Sequence, residues 1–597
     1  MRERSGARPS YTAGRLATFV TALSLVVGLG VVGTPSSAAP ATARAPADSD
    51  GPGGDTAGTA GPVVTLPSPR AGGTTSAAVD TGVKEIELAR VPDRQAPTPP
   101  QGDLPVVAEL EQRATTGYAL VGVTWRPGTA PSDVQVQVRT HDGSGWSSWQ
   151  DLVFEPTEGP APAEEDVTAR DGTEPLWVGD ADGVQARILS AQGTPPADPQ
   201  VALVDPGATP ATSAASATGT RGAIGATPAV LTGPAQATSA TTAATSQPRI
   251  VSRRGWGADP SLKSHCDPPR RARTVRMVFV HHTAGSNNYS RRESPSIVRS
   301  IYAYHTQGQG WCDIGYNFLV DRFGTVYEGR AGGINTPVRG AHAGDYNVKT
   351  VGISLMGNFQ KARPSRPMKR ALTHLVAWKL SSYYRHPRTR TRIHGHSFKK
   401  ISGHRDAMST ACPGRYAYAF LPALRRRVAR AAGNIETPIY RKWQRLASHG
   451  TKLGQPFRGE ERSVRSGRKT QFDHGWIFWS DRNGAHPIRG RIFKRYRSWG
   501  QARGHLGYPR SDAWQINGHR GKGQTFGHGR IYRTPHHGAV GVWGAIDRRY
   551  GRAGRADGRL GVPVRDQHRT RRGWSARFQG GRITWNTKTN RTRVRFF

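Results

Sequence analysis

Cysteine is almost missing from this chain of 597 residues: there are three, at 266, 312 and 412. So few exclude a small fold stapled by a disulfide framework, and leave room for one bridge and one free thiolate, or for three separate thiols. Long apolar runs are equally scarce. Leu16 to Gly33 is the one such stretch, and no later segment is apolar enough to span a bilayer, which excludes a protein of many membrane passes. Acidic residues are in deficit, 42 Asp+Glu against 84 Lys+Arg, for a formal charge of +42. The deficit is uneven. By count, residues 100–205 carry 17 acidic and 5 basic side chains, whereas residues 434–597 carry 36 basic and 9 acidic. A field that positive draws polyanions, although arginines spread along the chain also serve solvation alone.

The N-terminus has the form of an export signal. Arg2, Arg4, Arg8 and Arg15 precede the apolar stretch, and small residues Ser36 to Ala39 follow it, so residues 1–39 read as a signal peptide, with an uncleaved anchor as the alternative. Export makes anionic wall polymers and lipid headgroups the accessible polyanions. No nucleic-acid-binding motif accompanies the charge, and no nucleic-acid partner is expected. Residues 40–103, rich in Ala, Pro, Gly, Thr and Asp, are expected to be a disordered linker. Residues 104–205 alternate apolar and polar positions (Val121, Val123, Trp125; Val134, Val136, Val138) between Gly, Pro and Asp clusters, the pattern of a small sandwich-like β domain. It holds no clustered His or Cys and no paired acids, so the expected role is accessory binding or spacing. Residues 206–248 return to Ala, Thr and Ser as a second linker.

Order of another kind resumes over 249–433. Apolar strands at 275–281 and 351–356, a hairpin around Asp321–Gly324, and helical faces at Ile297/Ile301/Tyr304 and Leu372/Leu375/Val376 predict an α/β domain, a mixed sheet flanked by helices. Two segments carry its chemistry. Val278-Phe279-Val280-His281-His282-Thr283 ends an apolar strand on imidazole. Gly403-His404-Arg405-Asp406 through Thr410-Ala411-Cys412-Pro413-Gly414 brings a second imidazole and a thiolate through one loop. Two imidazoles and one thiolate suit Zn2+ and leave a fourth tetrahedral position open, the arrangement of a hydrolytic rather than a structural site. With Cys412 as a ligand candidate, Cys266 and Cys312 remain, either as a disulfide in an oxidising compartment or as two buried thiols. Alternation along the strand sends His282 to the face opposite His281. His394 and His396 suit a solvated strand.

The domain resembles the peptidoglycan-recognition protein and zinc N-acetylmuramoyl-L-alanine amidase family. The motifs that carry the resemblance are Arg253-Arg254-Gly255-Trp256-Gly257-Ala258, Phe279-Val280-His281-His282-Thr283, Asp313-Ile314-Gly315-Tyr316-Asn317-Phe318, Tyr327-Glu328-Gly329-Arg330, Gly340-Ala341-His342-Ala343-Gly344, Val351-Gly352-Ile353-Ser354 and the His404 to Gly414 segment, in that order. The resemblance implies zinc ligands at His281, His404 and Cys412, catalytic positions at Tyr316 and Thr410, and substrate contacts at His342 and Asn347. It implies hydrolysis of the amide between N-acetylmuramic acid and L-alanine of the stem peptide, because the whole ligand set is kept. The alternative is a wall-anchoring protein that binds peptidoglycan without cutting it. Ala331 to Thr336, where some family members carry a Gly-Trp pair, holds no Trp, so stem-peptide preference does not transfer.

Residues 434–597 repeat. Leu453-Gly454-Gln455-Pro456 recurs as Leu506-Gly507-Tyr508-Pro509 and Leu560-Gly561-Val562-Pro563. Phe472, Phe526 and Phe578 keep the same step, as do Tyr496 and Tyr550, with a period of about 53 residues. The segment resembles LGFP repeats of actinobacterial wall-associated proteins, which implies attachment to the cell envelope through carbohydrate or anionic wall polymers. Taken together, the sequence is expected to be a secreted or wall-bound protein.

Overall fold

Five strands build the central sheet, in the order Val326–Glu328, Phe318–Val320, Thr350–Leu355, Met277–His282, Ile401–Gly403. The last four run parallel to one another, and Val326–Glu328 closes a hairpin with Phe318–Val320. Met277–His282 and Thr350–Leu355 are buried at every position, as parallel strands covered on both faces require. Helices Arg366–Ser382 and Arg415–Ala431 cover one face, where Leu372, Leu375, Val376, Leu421 and Leu424 meet Val278, Val280 and Ile353. The Ser365 hydroxyl caps the first of these helices by accepting from the Met368 N–H at 3.2 Å. Met277 and Phe279 turn to the opposite face, and His281 follows them in the pleat. The expected mixed sheet with flanking helices is present.

The chain, as a computed structural model, is described over residues 79–92, 104–156, 159–160, 169–208, 245–263, 268–433 and 435–597. The expected signal segment, most of both expected linkers and Cys266 lie outside the described residues. Among the described residues no helix is long and apolar enough to cross a membrane.

The N-terminal domain is all β, with an antiparallel sheet ordered Gly82–Glu87, Gln200–Asp205, Val106–Trp125, Leu176–Leu189, Gln135–His141, Gln150–Leu152. The linker expectation for 40–103 therefore fails at its end. Gly82–Glu87 pairs antiparallel with Gln200–Asp205, an edge strand whose charged, outward residues resemble linker composition. Val121, Val123 and Trp125 face the domain's own core, as their alternation predicts. The other face is also covered. Leu120, Trp177, Ala202 and Val204 share one apolar cluster with Trp256, Ile297, Ile301 and Tyr304 of the central domain. Tyr304 is so close to the strand that a Cβ on Gly122 would lie 2.4 Å from its ring. The Tyr304 hydroxyl donates to the Thr173 carbonyl at 2.8 Å. A free spacer is excluded by this shared core.

The C-terminal region holds three four-stranded antiparallel sheets. Each repeat glycine, Gly454, Gly507 and Gly561, has a positive φ, which explains why glycine recurs there. The repeats interlock through their helices. The Tyr496 hydroxyl donates to the Gly507 carbonyl at 2.9 Å, and Tyr550 to Gly561 at 2.6 Å. Their rings pack on the next repeat's Phe526 and Phe578. Trp443, on the helix Pro438–Ser448, makes the equivalent contacts a period earlier: its indole N–H donates to the Gly454 carbonyl at 3.1 Å and its ring meets Phe472. The helix is thus an N-terminal cap for the array, hidden in the sequence because indole replaces phenol.

Candidate metal centre and groove

The strand Met277–His282 ends with His281 pointing toward the loop that follows Ile401–Gly403. That loop opens with a short turn at His404–Asp406, held by the Asp406 carboxylate accepting from the Gly403 N–H at 2.9 Å. It closes at Cys412, whose N–H donates to the Thr410 hydroxyl oxygen at 2.9 Å. One donor atom from each of His281, His404 and Cys412 lies within 4.8 Å of the others. The Cys412 sulfur is 3.7 Å from His281 Nδ1, and the two imidazole rings are 4.6 Å apart. All three side chains are buried.

Burial drives His281 well below an ordinary imidazole, and the neighbouring His404 and His342 reinforce the shift. His404 is pushed down to about 3 by burial. Both rings are therefore neutral at physiological pH, the form that binds a metal. Neither ring nitrogen of His404 has a hydrogen-bond partner among the described residues. A buried imidazole without partners is costly, and a metal ion held with His281 and Cys412 would satisfy it. The three donors fit a metal ion in number, chemistry and protonation.

The expected catalytic and groove residues fall in two classes. Tyr316 is beside the trio, its ring 5.6 Å from that of His281, and Thr410 lies two residues from Cys412 in the same loop. His342 and Asn347, expected to contact substrate, are both fully buried. His342 Nδ1 is 3.1 Å from His281 Nε2. With His281 Nδ1 turned to Cys412, the geometry has Nε2–H donating to His342, an outer partner that fixes the ligand's tautomer and angle. Burial pushes His342 down to about 3, so its ring is neutral and keeps one nitrogen able to accept. Asn347 ties its own turn, its Oδ1 accepting from the His342 and Ala343 amides at 2.8 and 3.0 Å. The backbone approach is tight enough that a Cβ on Gly352 would lie 2.3 Å from the His342 ring. His282 accepts from the Phe359 N–H at 3.1 Å on the other face of the sheet, and His394 and His396 are exposed on a separate hairpin. Cys312 is disulfide-bonded and Cys412 is not.

One residue was not legible. Glu155, from the N-terminal domain, is buried against the metal loop. Burial raises its pKa, opposed by the nearby Thr410 hydroxyl, the Ala411 and Cys412 amides and the charge of Arg405. A single acid in an acid-rich stretch gives no sequence signal of such a contact.

Residues 271–415 match the family described as N-acetylmuramoyl-L-alanine amidase. Residues 75–217 match "Rv3811 N-terminal galactose-binding domain-like", and 453–504, 506–558 and 560–595 each match the LGFP repeat. Peptidoglycan recognition protein 1 of Bos indicus is 39% identical over 170 residues, covering 28% of this chain and 80% of the relative. The Mus musculus protein of the same name is 36% identical over 176 residues, 29% of this chain and 87% of the relative. Among solved structures, wild-type Drosophila PGRP-LB aligns at 30% identity over 29% of this chain and 91% of that one, with a TM-score of 0.24.

Proposed function

Because the chain belongs to the peptidoglycan recognition protein family, we propose that it is a secreted, wall-associated, zinc-dependent N-acetylmuramoyl-L-alanine amidase. The observation that carries this reading is the buried set His281, His404 and Cys412, with donor atoms within 4.8 Å of one another. Zinc, when bound there, supplies Lewis-acid polarisation and activates water near neutral pH.

The protein's own groups do the rest. His342 holds His281 in its ligating orientation. Tyr316 donates its hydroxyl to the amide oxygen as negative charge grows on it, a term worth about 3–4 kcal/mol in comparable oxyanion sites. Thr410, whose oxygen accepts from the Cys412 N–H, orients the attacking water or the scissile amide and holds the thiolate's loop. The basic repeats hold the chain on anionic or carbohydrate wall polymers, which concentrates it on peptidoglycan. Cys266 is the proposed partner of Cys312.

The names of the relatives favour a second reading, recognition of peptidoglycan without cleavage. Mass spectrometry of purified peptidoglycan digested by the wild type and by Cys412→Ala separates the two. Stem peptides beginning with L-alanine, released by wild type alone, are the expected result. Wall binding by both with release from neither assigns the chain to recognition.

A further inference from the structure

The metal trio and Tyr316 are at most 1% exposed. A hydrolase of a cross-linked polymer needs these groups at the floor of an open groove. The N-terminal domain packs against the loops beside them. Glu155, 6% exposed, is buried against the Thr410–Cys412 loop, near enough that the Thr410 hydroxyl, the Ala411 and Cys412 amides and the Arg405 charge all favour its carboxylate form. Four residues on, the Gly159 carbonyl accepts from Asn347 Nδ2 at 2.9 Å and from the Gly344 N–H at 3.3 Å. Gly159 also lies against Trp311, whose ring a Cβ there would meet at 3.2 Å. A carboxylate is thus buried against the metal loop, and a peptide carbonyl occupies two donors, Asn347 Nδ2 and the Gly344 N–H.

The described residues on either side of these are anchored. Phe154 packs edge-on against Trp125 at 4.8 Å in the N-terminal core, and the Glu174 N–H donates to the Val153 carbonyl at 2.7 Å. On the far side, the Arg170 N–H donates to the Gln309 carbonyl at 2.9 Å, next to the Tyr304–Thr173 bond. The Glu155 carboxylate and the Gly159 carbonyl are acceptors of the same kinds as those of a stem peptide.

Taking the amidase assignment as given, we propose that residues 154–156 and 159–160 are a built-in competitive cover, which holds the catalytic groove closed by occupying substrate-binding donors. Substrate must displace it, so the apparent affinity of the groove is its intrinsic affinity reduced by the fraction of open molecules. Glu155→Ala and the isosteric Glu155→Gln loosen the cover in the full-length chain while leaving the His281, His404 and Cys412 side chains in place. Two readouts are needed: stem-peptide release from peptidoglycan by the zinc-loaded chain, and calorimetric binding of a soluble N-acetylmuramyl peptide in a Cys412→Ala background, where nothing is cleaved. The expected result is roughly ten-fold or greater tightening of binding and a matching gain in release for Glu155→Ala, with Glu155→Gln in between. Unchanged or weaker binding overturns the cover. So does a loss of release with binding unchanged, which would make Glu155 a participant in the reaction. Tighter binding with no release by any variant upholds the cover and removes the amidase assignment instead.

Discussion

His342→Ala probes the inferred role of His342 most sharply. Its Nδ1 stands 3.1 Å from His281 Nε2, and both rings are fully buried. Removing the imidazole deprives His281 of the acceptor that fixes its tautomer, and leaves a void between Gly340 and Gly352, which both crowd that ring. Loss of an outer partner of this kind costs about 10–100-fold in metal affinity, or about 1.4–2.7 kcal/mol. The void adds a stability cost of about 2–4 kcal/mol to the metal-free fold. His342→Gln restores an acceptor and some of the volume, and is expected to recover most of the affinity. Competition with a chelator of known zinc affinity measures the first effect and thermal unfolding of the metal-free chain the second. A His342→Ala chain that stays folded and binds zinc within two-fold of wild type would refute the assignment of His342 to ligand orientation. Tight zinc binding with failure to bind muropeptide would return it to the substrate groove.

Lys379 is buried and its Nζ donates to the Ile334 carbonyl; desolvation pushes it down to about 7, with Glu328 opposing. A folded pKa below the unfolded one near 10.5 means that the destabilisation accrues as pH falls from about 10.5 to about 7. Lys379→Met is therefore expected to raise the unfolding free energy in urea at pH 7 by about 1–3 kcal/mol, and to lose most of that advantage at pH 10. Tyr550→Phe removes the donor to the Gly561 carbonyl and is expected to destabilise the repeat array by about 1–2 kcal/mol in urea unfolding followed by tryptophan fluorescence. Gly122→Ala drives a methyl into the Tyr304 ring and is expected to lower the melting temperature by separating the N-terminal sheet from the helix Ser294–Ala303, at a cost of about 1–3 kcal/mol.

The central domain was legible because its chemistry sits at strand ends and in short motifs. The apolar run before His281 and the loop from His404 to Cys412 each place a ligand locally, so pattern alone brought the three together. What escaped was decided by distant contacts. The strand Gly82–Glu87 hides in linker-like composition because an edge strand needs few apolar residues. Leu120 and Val204 read as ordinary strand positions, and nothing local shows that their face packs on another domain. His342 lies in a groove motif, yet its side chain turns inward to His281. Trp443 breaks the repeat pattern in letter while keeping its bond to the next glycine carbonyl. Glu155 meets Thr410 across 255 residues of sequence, a distance at which no periodicity signals a contact.

The most direct test of the amidase assignment is to strip the full-length chain of metal, add zinc back in steps, and follow stem-peptide release from peptidoglycan against measured zinc occupancy. The account predicts release that rises in proportion to occupancy, ends at one zinc per chain, and is absent from His281→Ala at every step. Release that survives metal removal, or no release at full occupancy from wild type and Glu155→Ala alike, would contradict it.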